Sequence, residues 1–317
     1  MLRIRFFNVG DGDAILVEEL SAGQAFRMLI DAGRERVSEP APCATCAELL
    51  RRARVARLDR MVITHLHADH IGGVAEVLNA ASVDELISGY IPLHDGAQIP
   101  FDEGAGKSLR GMIACVNRWS ADVARMKGRG VRCTELYASW RGVRLTPALS
   151  ADFIVPDVRA LRLQRQVWNH MLEPRRVPEA RMIRASRLRN PNSLRVRLHY
   201  AGRIVELPGD CYGSVWEDEV DAPCDILKAP HHGDDKAVTD ALLARLRPAH
   251  AVISCSRAYQ PAKNRPSAET LRRLRRVGAQ VWYTDAFADG LYPPREWPWV
   301  DFAILDDGSI VPPEDAV

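Results

Sequence analysis

Four metal-binding side chains fall within six residues: His65-Leu66-His67-Ala68-Asp69-His70. Imidazole and carboxylate together suit zinc, and also iron or manganese. The apolar run Met61-Val62-Ile63 comes directly before them and reads as a buried strand. Ile71, Val74 and Leu78 follow at helical spacing, so a helix should open at Asp69 or His70. The ligands then sit on a strand-to-helix turn, where a rigid strand end aims several side chains at one point. His65 and His67 alternate as strand residues do, and can chelate one ion. Asp69 and His70 come off the turn and can reach a second. A solvated histidine cluster is the plain alternative, but such clusters rarely sit between a buried strand and an amphipathic helix.

The run Thr64-His65-x-His67-x-Asp69-His70-x-Gly72-Gly73 resembles the signature of the metallo-β-lactamase superfamily, in the form carried by its hydrolases. The resemblance implies a four-layer αββα sandwich with a binuclear metal site at one edge of the sheets. It implies one domain over 1–317, with insertions at about 92–130 and 158–190. Val9-Gly10-Asp11-Gly12-Asp13 is similar to a turn found in one branch, that of the DNA-uptake (ComEC-type) domains. By the same resemblance Asp31 supports the metal loop without binding metal. The superfamily's usual third-motif histidine is replaced by Asn190-Pro191-Asn192-Ser193, as in that branch, so Asn192 and Ser193 are expected beside the site with Asp13. Gly209-Asp210 matches the bridging aspartate. Lys228-x-x-His231-His232-Gly233 matches the branch motif, with Asp234 where a serine is usual. One of His231 and His232 should bind metal and the other meet the substrate or leaving group; which does which stays open. The branch often has a histidine before the proline of Arg265-Pro266, and here it is arginine.

The expected metal set is therefore His65, His67, Asp69, His70, Asp210, His231 and His232, with Asp69, His231 and His232 also catalytic. Two divalent ions are implied, zinc or manganese. Such a pair polarises a substrate oxygen, supplies hydroxide at neutral pH, orients the substrate and steadies the leaving oxygen. None of these residues is a protein nucleophile, so water attacks. The branch motifs favour a phosphodiesterase or nuclease. Hydrolysis of a lactone, thioester or amide is the alternative, as is a slow metal-binding module working through a partner protein.

The elements that must position these residues follow from periodicity. Strands are expected over 4–9, 14–18 and 26–30, and a helix over 47–58. Strands follow over 61–63 and 85–91. Residues 92–107 read as a long loop and 108–126 as a helix, then short strands to 155. Further strands fall at 194–200, 203–207, 251–255 and 281–284, with a helix over 267–277 and a closing strand and turn over 299–310. His199 lies inside one of these strands and reads as an ordinary strand residue. Residues 158–190 carry nine arginines against two glutamates, a local +7 inside a chain of net +2. Such a patch suits a phosphate backbone, single-stranded nucleic acid or a small phosphodiester, or a partner protein at 92–130 or 158–190; a solvated helix face is the plain reading.

The 317 residues, 47% hydrophobic, can bury a large core. No window approaches about 18 uninterrupted apolar residues, so no membrane contact is expected. The N-terminus lacks the apolar stretch of a secretion signal, and seven cysteines show no disulfide framework, so a reduced cytoplasm is expected. Cys43-Ala-Thr-Cys46 is a lone C-x-x-C and reads as a loop or helix start.

Overall fold

A computed structural model describes residues 1–21, 24–35, 43–100, 104–173, 175–256, 265–285 and 298–313. Residues 101–103 of the expected loop and residue 174 of the basic segment lie outside these. One sheet contains β1 (Leu2–Phe7), β2 (Ile15–Ser21), β3 (Gln24–Ile30), β4 (Arg57–Ile63), β5 (Ser82–Ser88) and β6 (Arg132–Glu135). The other contains β7 (Trp140–Arg144), β8 (Leu149–Ile154), β9 (Arg195–Tyr200), β10 (Arg203–Leu207), β11 (Ile226–Lys228), β12 (His250–Ile253) and β13 (Gln280–Tyr283). The chain then returns to the first sheet as β14 (Trp299–Ile304), antiparallel to β1, and β15 (Ile310–Val311).

Side-chain alternation along the strands builds the layers, because successive residues face opposite sides of a sheet. Val62, Ile226 and Val252 enter the core between the sheets, together with Phe6, Phe153 and Phe302. Their neighbours Met61 and Ile63 face outward from the first sheet, onto α1 (Cys46–Arg52), α3 (Val74–Ala80), α4 (Lys107–Gly128) and α5 (Val158–Leu172). The short α2 (Ala68–Ile71) precedes α3, and α6 (Glu179–Arg187) follows α5 on this side. Leu227, Ala251 and Ile253 face outward from the second sheet, onto α7 (Gly213–Trp216), α8 (Asp240–Leu246) and α9 (Ala268–Arg276). Helices cover both outer faces, giving the two-sheet α/β sandwich expected from the sequence.

The expected helix over 47–58 is shorter. It ends at Arg52, Arg54 takes a left-handed φ of 57°, and the chain enters β4 at Arg57. Val55 and Leu58 keep helical spacing, but Leu58 pairs with Val83 of β5, and that strand pairing overrides the local pattern. The strand expected over 85–91 likewise runs earlier, Ser82–Ser88, in register with β4. Among the described residues no disulfide forms and no helix is long and apolar enough to cross a membrane. Cys46 is buried at the start of α1, and burial raises its thiol pKa, which leaves it unreactive.

Candidate metal centre

The site forms where three strands end. His65 and His67 follow β4, Asp210 follows β10, and His231 and His232 follow β11. Strands β3 to β5 run parallel, as do β10 to β13, so these carboxyl ends lie at one edge of the sandwich, the usual place for ligands in such sheets.

Asp31, at the end of β3, anchors the metal loop. It accepts the Thr64 backbone N–H at 2.8 Å and the Thr64 hydroxyl at 2.7 Å, and it holds His70 Nδ1 at 2.7 Å. Its φ of 58° is left-handed, a strain of the kind found at functional sites. This contact turns His70 Nε2 toward Asp210 Oδ2, 3.3 Å away. Asp31 thus ties Thr64 and His70 together across the loop that carries the histidines. Gly12 lies against the same loop: a Cβ there would come within 2.6 Å of the Asp69 carbonyl. Gly209, with φ +55°, lets the Asp210 turn approach Thr64, where a Cβ would sit 2.9 Å from the Thr64 side chain.

Three groups of donors converge: His65, His67 and Asp210; Asp69, His70 and His232; and Asp13, His70 and Asp210. His65 Nε2 lies 2.8 Å from His67 Nδ1 and 3.6 Å from Asp210 Oδ2. His232 Nε2 lies 3.5 Å from Asp69 Oδ2. Asp13, expected only beside the site, joins the third group.

The histidine pair separates. Both residues have left-handed backbones, φ 47° and 56°, which point their rings in different directions. His232 turns inward to Asp69. His231 turns to Asn190 Nδ2 at 2.9 Å, to Arg265 and to the Asp234 carboxylate, and stands 3.8 Å from Asp210. It belongs to none of the three donor groups.

Charge and burial prepare the site for cations. Burial, then the charge of His70, drives the His65 pKa far down; burial and Arg189 push His67 to about 3. Both rings therefore stay neutral at pH 7, the form that ligates a metal. Burial opposes ionisation of Asp69 and Asp210, but neighbouring histidines outweigh it and hold both well below the carboxylate range. Burial also opposes charging of His70 and His232, yet Asp210, with Asp31 for His70 and Asp69 for His232, raises both. Asp13 Oδ1, His70 Nε2, Asp210 Oδ1 and both ring nitrogens of His232 are buried with no hydrogen-bond partner. Buried polar atoms without partners are costly, and carboxylate with imidazole is a divalent-metal donor set. The residues present fit two such ions.

Some expected residues do other work. Asn192 Oδ1 accepts from the Asp157 N–H at 3.0 Å and its Nδ2 donates to Gln164, so its amide fastens the start of α5. Asn190, two residues earlier, contacts His231. Ser193 Oγ accepts the Asp210 N–H at 3.3 Å and supports that ligand. His199 lies in β9, 3.3 Å from Asp152 and apart from the three groups. Two buried cations had no signal of their own. Lys228 Nζ contacts Asp13 and donates to the Gly209 carbonyl at 3.1 Å, and Arg189 donates to the Leu66 carbonyl at 3.0 Å. Lys228 was visible only as a motif letter, and Arg189 only as one of nine arginines.

Residues 7–109 match the family model of the metallo-beta-lactamase superfamily. This segment belongs to that superfamily. With the sandwich and the ligand groups, the match supports a metal-dependent hydrolase. No curated protein matches the chain in sequence. Among solved structures, 89% of the chain aligns with 96% of YhfI, a metallo-beta-lactamase fold protein from Bacillus subtilis, at 8% identity and TM-score 0.47. Zn2+-bound PqqB from Methylobacterium extorquens aligns over 89% of this chain and 98% of its own, at 11% identity and TM-score 0.44. CmlA, a diiron beta-hydroxylase from Streptomyces venezuelae, aligns over 88% of this chain and 52% of its own, at 13% identity and TM-score 0.44.

Proposed function

We propose that this metallo-β-lactamase-like hydrolase is a phosphodiesterase, with single-stranded nucleic acid or a smaller phosphodiester as substrate. One observation carries the reading. Seven of the nine arginines in 158–190 are exposed, and Arg159, Arg162, Arg176, Arg184 and Arg187 have no acidic partner among the described residues. Arg184 and Arg187 close α6, and the chain then runs through Arg189 into Asn190, which contacts His231. The chain thus runs from a cationic helix into the residue that touches His231, which favours an anionic substrate.

In this reading His65, His67 and Asp210 would hold one ion, and Asp69, His70 and His232 would hold the other. Zinc suits the donors, and manganese is the alternative. When bound, the metals polarise the substrate oxygen and lower the pKa of water. Asp31 keeps His70 in one tautomer, with Nε2 free. Ser193 fixes the Asp210 backbone. His231, with Nδ1 against the Asp234 carboxylate and outside the three donor groups, would face the leaving group.

The test is a panel offered to metal-loaded protein: bis-p-nitrophenyl phosphate, single-stranded DNA and a β-lactam. Cleavage of the first two is expected. Hydrolysis of the β-lactam with both phosphodiesters untouched would overturn the reading.

A further inference from the structure

The turn carrying the histidine pair is fixed against a separate segment. The Ser267 N–H donates to the Gly233 carbonyl at 2.8 Å, and a Cβ on Gly233 would come within 2.8 Å of Pro266 Cβ. This packing sets Arg265, next in the chain, beside His231. Its Nη2 contacts His231 Nε2, and Asn190 Nδ2 reaches the same nitrogen at 2.9 Å. Tyr212 lies behind Asn190, its hydroxyl 3.4 Å from Nδ2.

Two donors from distant segments therefore aim at one spot, at the rim of the ligand cluster. A ring nitrogen has one lone pair in its plane, so His231 cannot satisfy both donors well. Arg265 is half-buried and has no carboxylate partner among the described residues. A guanidinium offers five donors in a planar fork that matches phosphate oxygens, and it cannot ligate a metal. Arginine in place of the branch's usual histidine therefore exchanges a potential ligand for a fixed cation.

We propose that Arg265 and Asn190 together bind a non-bridging anionic oxygen of the substrate and set a preference for anionic over neutral esters. The proposal rests on the phosphodiesterase reading and names the residues that would select its substrate. The oxygen takes the place between the two donors, and His231 is then free to face the leaving group.

Arg265→Ala and Arg265→Lys are compared with the wild type after metal content and melting temperature show that each is loaded and folded. Two measurements follow: calorimetric titration of metal-loaded protein with inorganic phosphate, and kcat and KM for anionic bis-p-nitrophenyl phosphate against the neutral diethyl p-nitrophenyl triester. Arg265→Ala should weaken phosphate binding and raise KM for the diester on the order of ten- to a hundredfold, as for loss of a hydrogen bond to a charged group. The triester should lose far less, and lysine should recover part of the phosphate affinity. Equal losses on the two esters, or unchanged phosphate affinity in Arg265→Ala, would overturn the proposal. If the wild type cleaves no diester, the phosphodiesterase reading falls by itself, and the phosphate titration still decides the role of Arg265.

Discussion

Asp210 and His199 test the site at the scale of single residues. Asp210 is buried within reach of His65, His70, His231 and His232, whereas His199 sits on β9 facing Asp152. Asp210→Ala should remove most of the metal's contribution to catalysis, on the order of several kcal/mol in activation free energy. His199→Ala should cost little. Steady-state rates for the two folded variants decide it, and equal losses would mean the site is drawn around the wrong residues. Asp31 acts through the candidate ligand His70 and through Thr64. Its removal frees His70 and the Thr64 backbone, and metal affinity should fall about 10- to 100-fold, as measured for partners that orient ligands. A competition titration against a chromogenic chelator reads this directly.

At the scale of elements, α4 carries a liability. Asp122 is buried on that helix with Oδ2 unpartnered, and burial raises its pKa to about 6 despite Arg118 and Arg125. An unfolded aspartate titrates near 3.9. Between about pH 4 and 6 the folded state therefore binds more protons than the unfolded chain, and this group's contribution makes stability fall as pH rises. Asp122→Asn should remove that slope and raise neutral-pH stability by roughly 3 kcal/mol. Urea denaturation at pH 4.5 and 7 measures both effects, and a variant less stable at pH 7 would show that the arginines outweigh burial. Helix α6 tests the substrate reading separately. If its exposed face follows a nucleic-acid backbone, Arg184→Ala with Arg187→Ala should weaken single-stranded DNA binding for all sequences alike. The salt slope should flatten by about 0.7 per lost contact. An unchanged slope, at unchanged metal content, would leave that face merely solvated.

At the scale of the whole molecule, the metal centre joins both sheets. His65, His67, Asp69 and His70 come from the first sheet, and Asp210 and His232 from the second. Metal binding should therefore stabilise the whole sandwich. Elemental analysis of protein prepared without chelator should give about two equivalents. Ions present at about a thousandfold over their dissociation constants should add about 4 kcal/mol of stability. Chelation should lower the melting temperature accordingly. Metal must also displace protons from His70 and His232, whose pKa values their carboxylate neighbours raise. Apparent affinity should then rise with pH until both rings are neutral, and binding at pH 7 should release protons. Calorimetry in two buffers of different ionisation enthalpy detects this, and buffer-independent heats would contradict it.

The sequence by itself determined the layers and the ligand types. The alternation that sends Val62 inward and Met61 outward is a local property of a strand, and so is the placement of His65 and His67 after it. The motif resemblance carried the distant ligands Asp210 and His232 and the support of Asp31. What failed locally failed where a partner strand intervened: Leu58 has helical spacing but pairs with β5. The different surroundings of His231 and His232 had no sequence signal, because they depend on two left-handed residues in succession. The contact of Asn190 with His231 was likewise invisible, since Asn190 and Asn192 stand in one short turn and only the fold shows which touches that ring. Arg265 stands 34 residues from the histidine it touches. Spacing along the chain specifies which side chains share a strand or a helix face. Contacts between segments joined only by packing belong to the tertiary structure, and in this protein those contacts set His231 apart from the three converging donor groups.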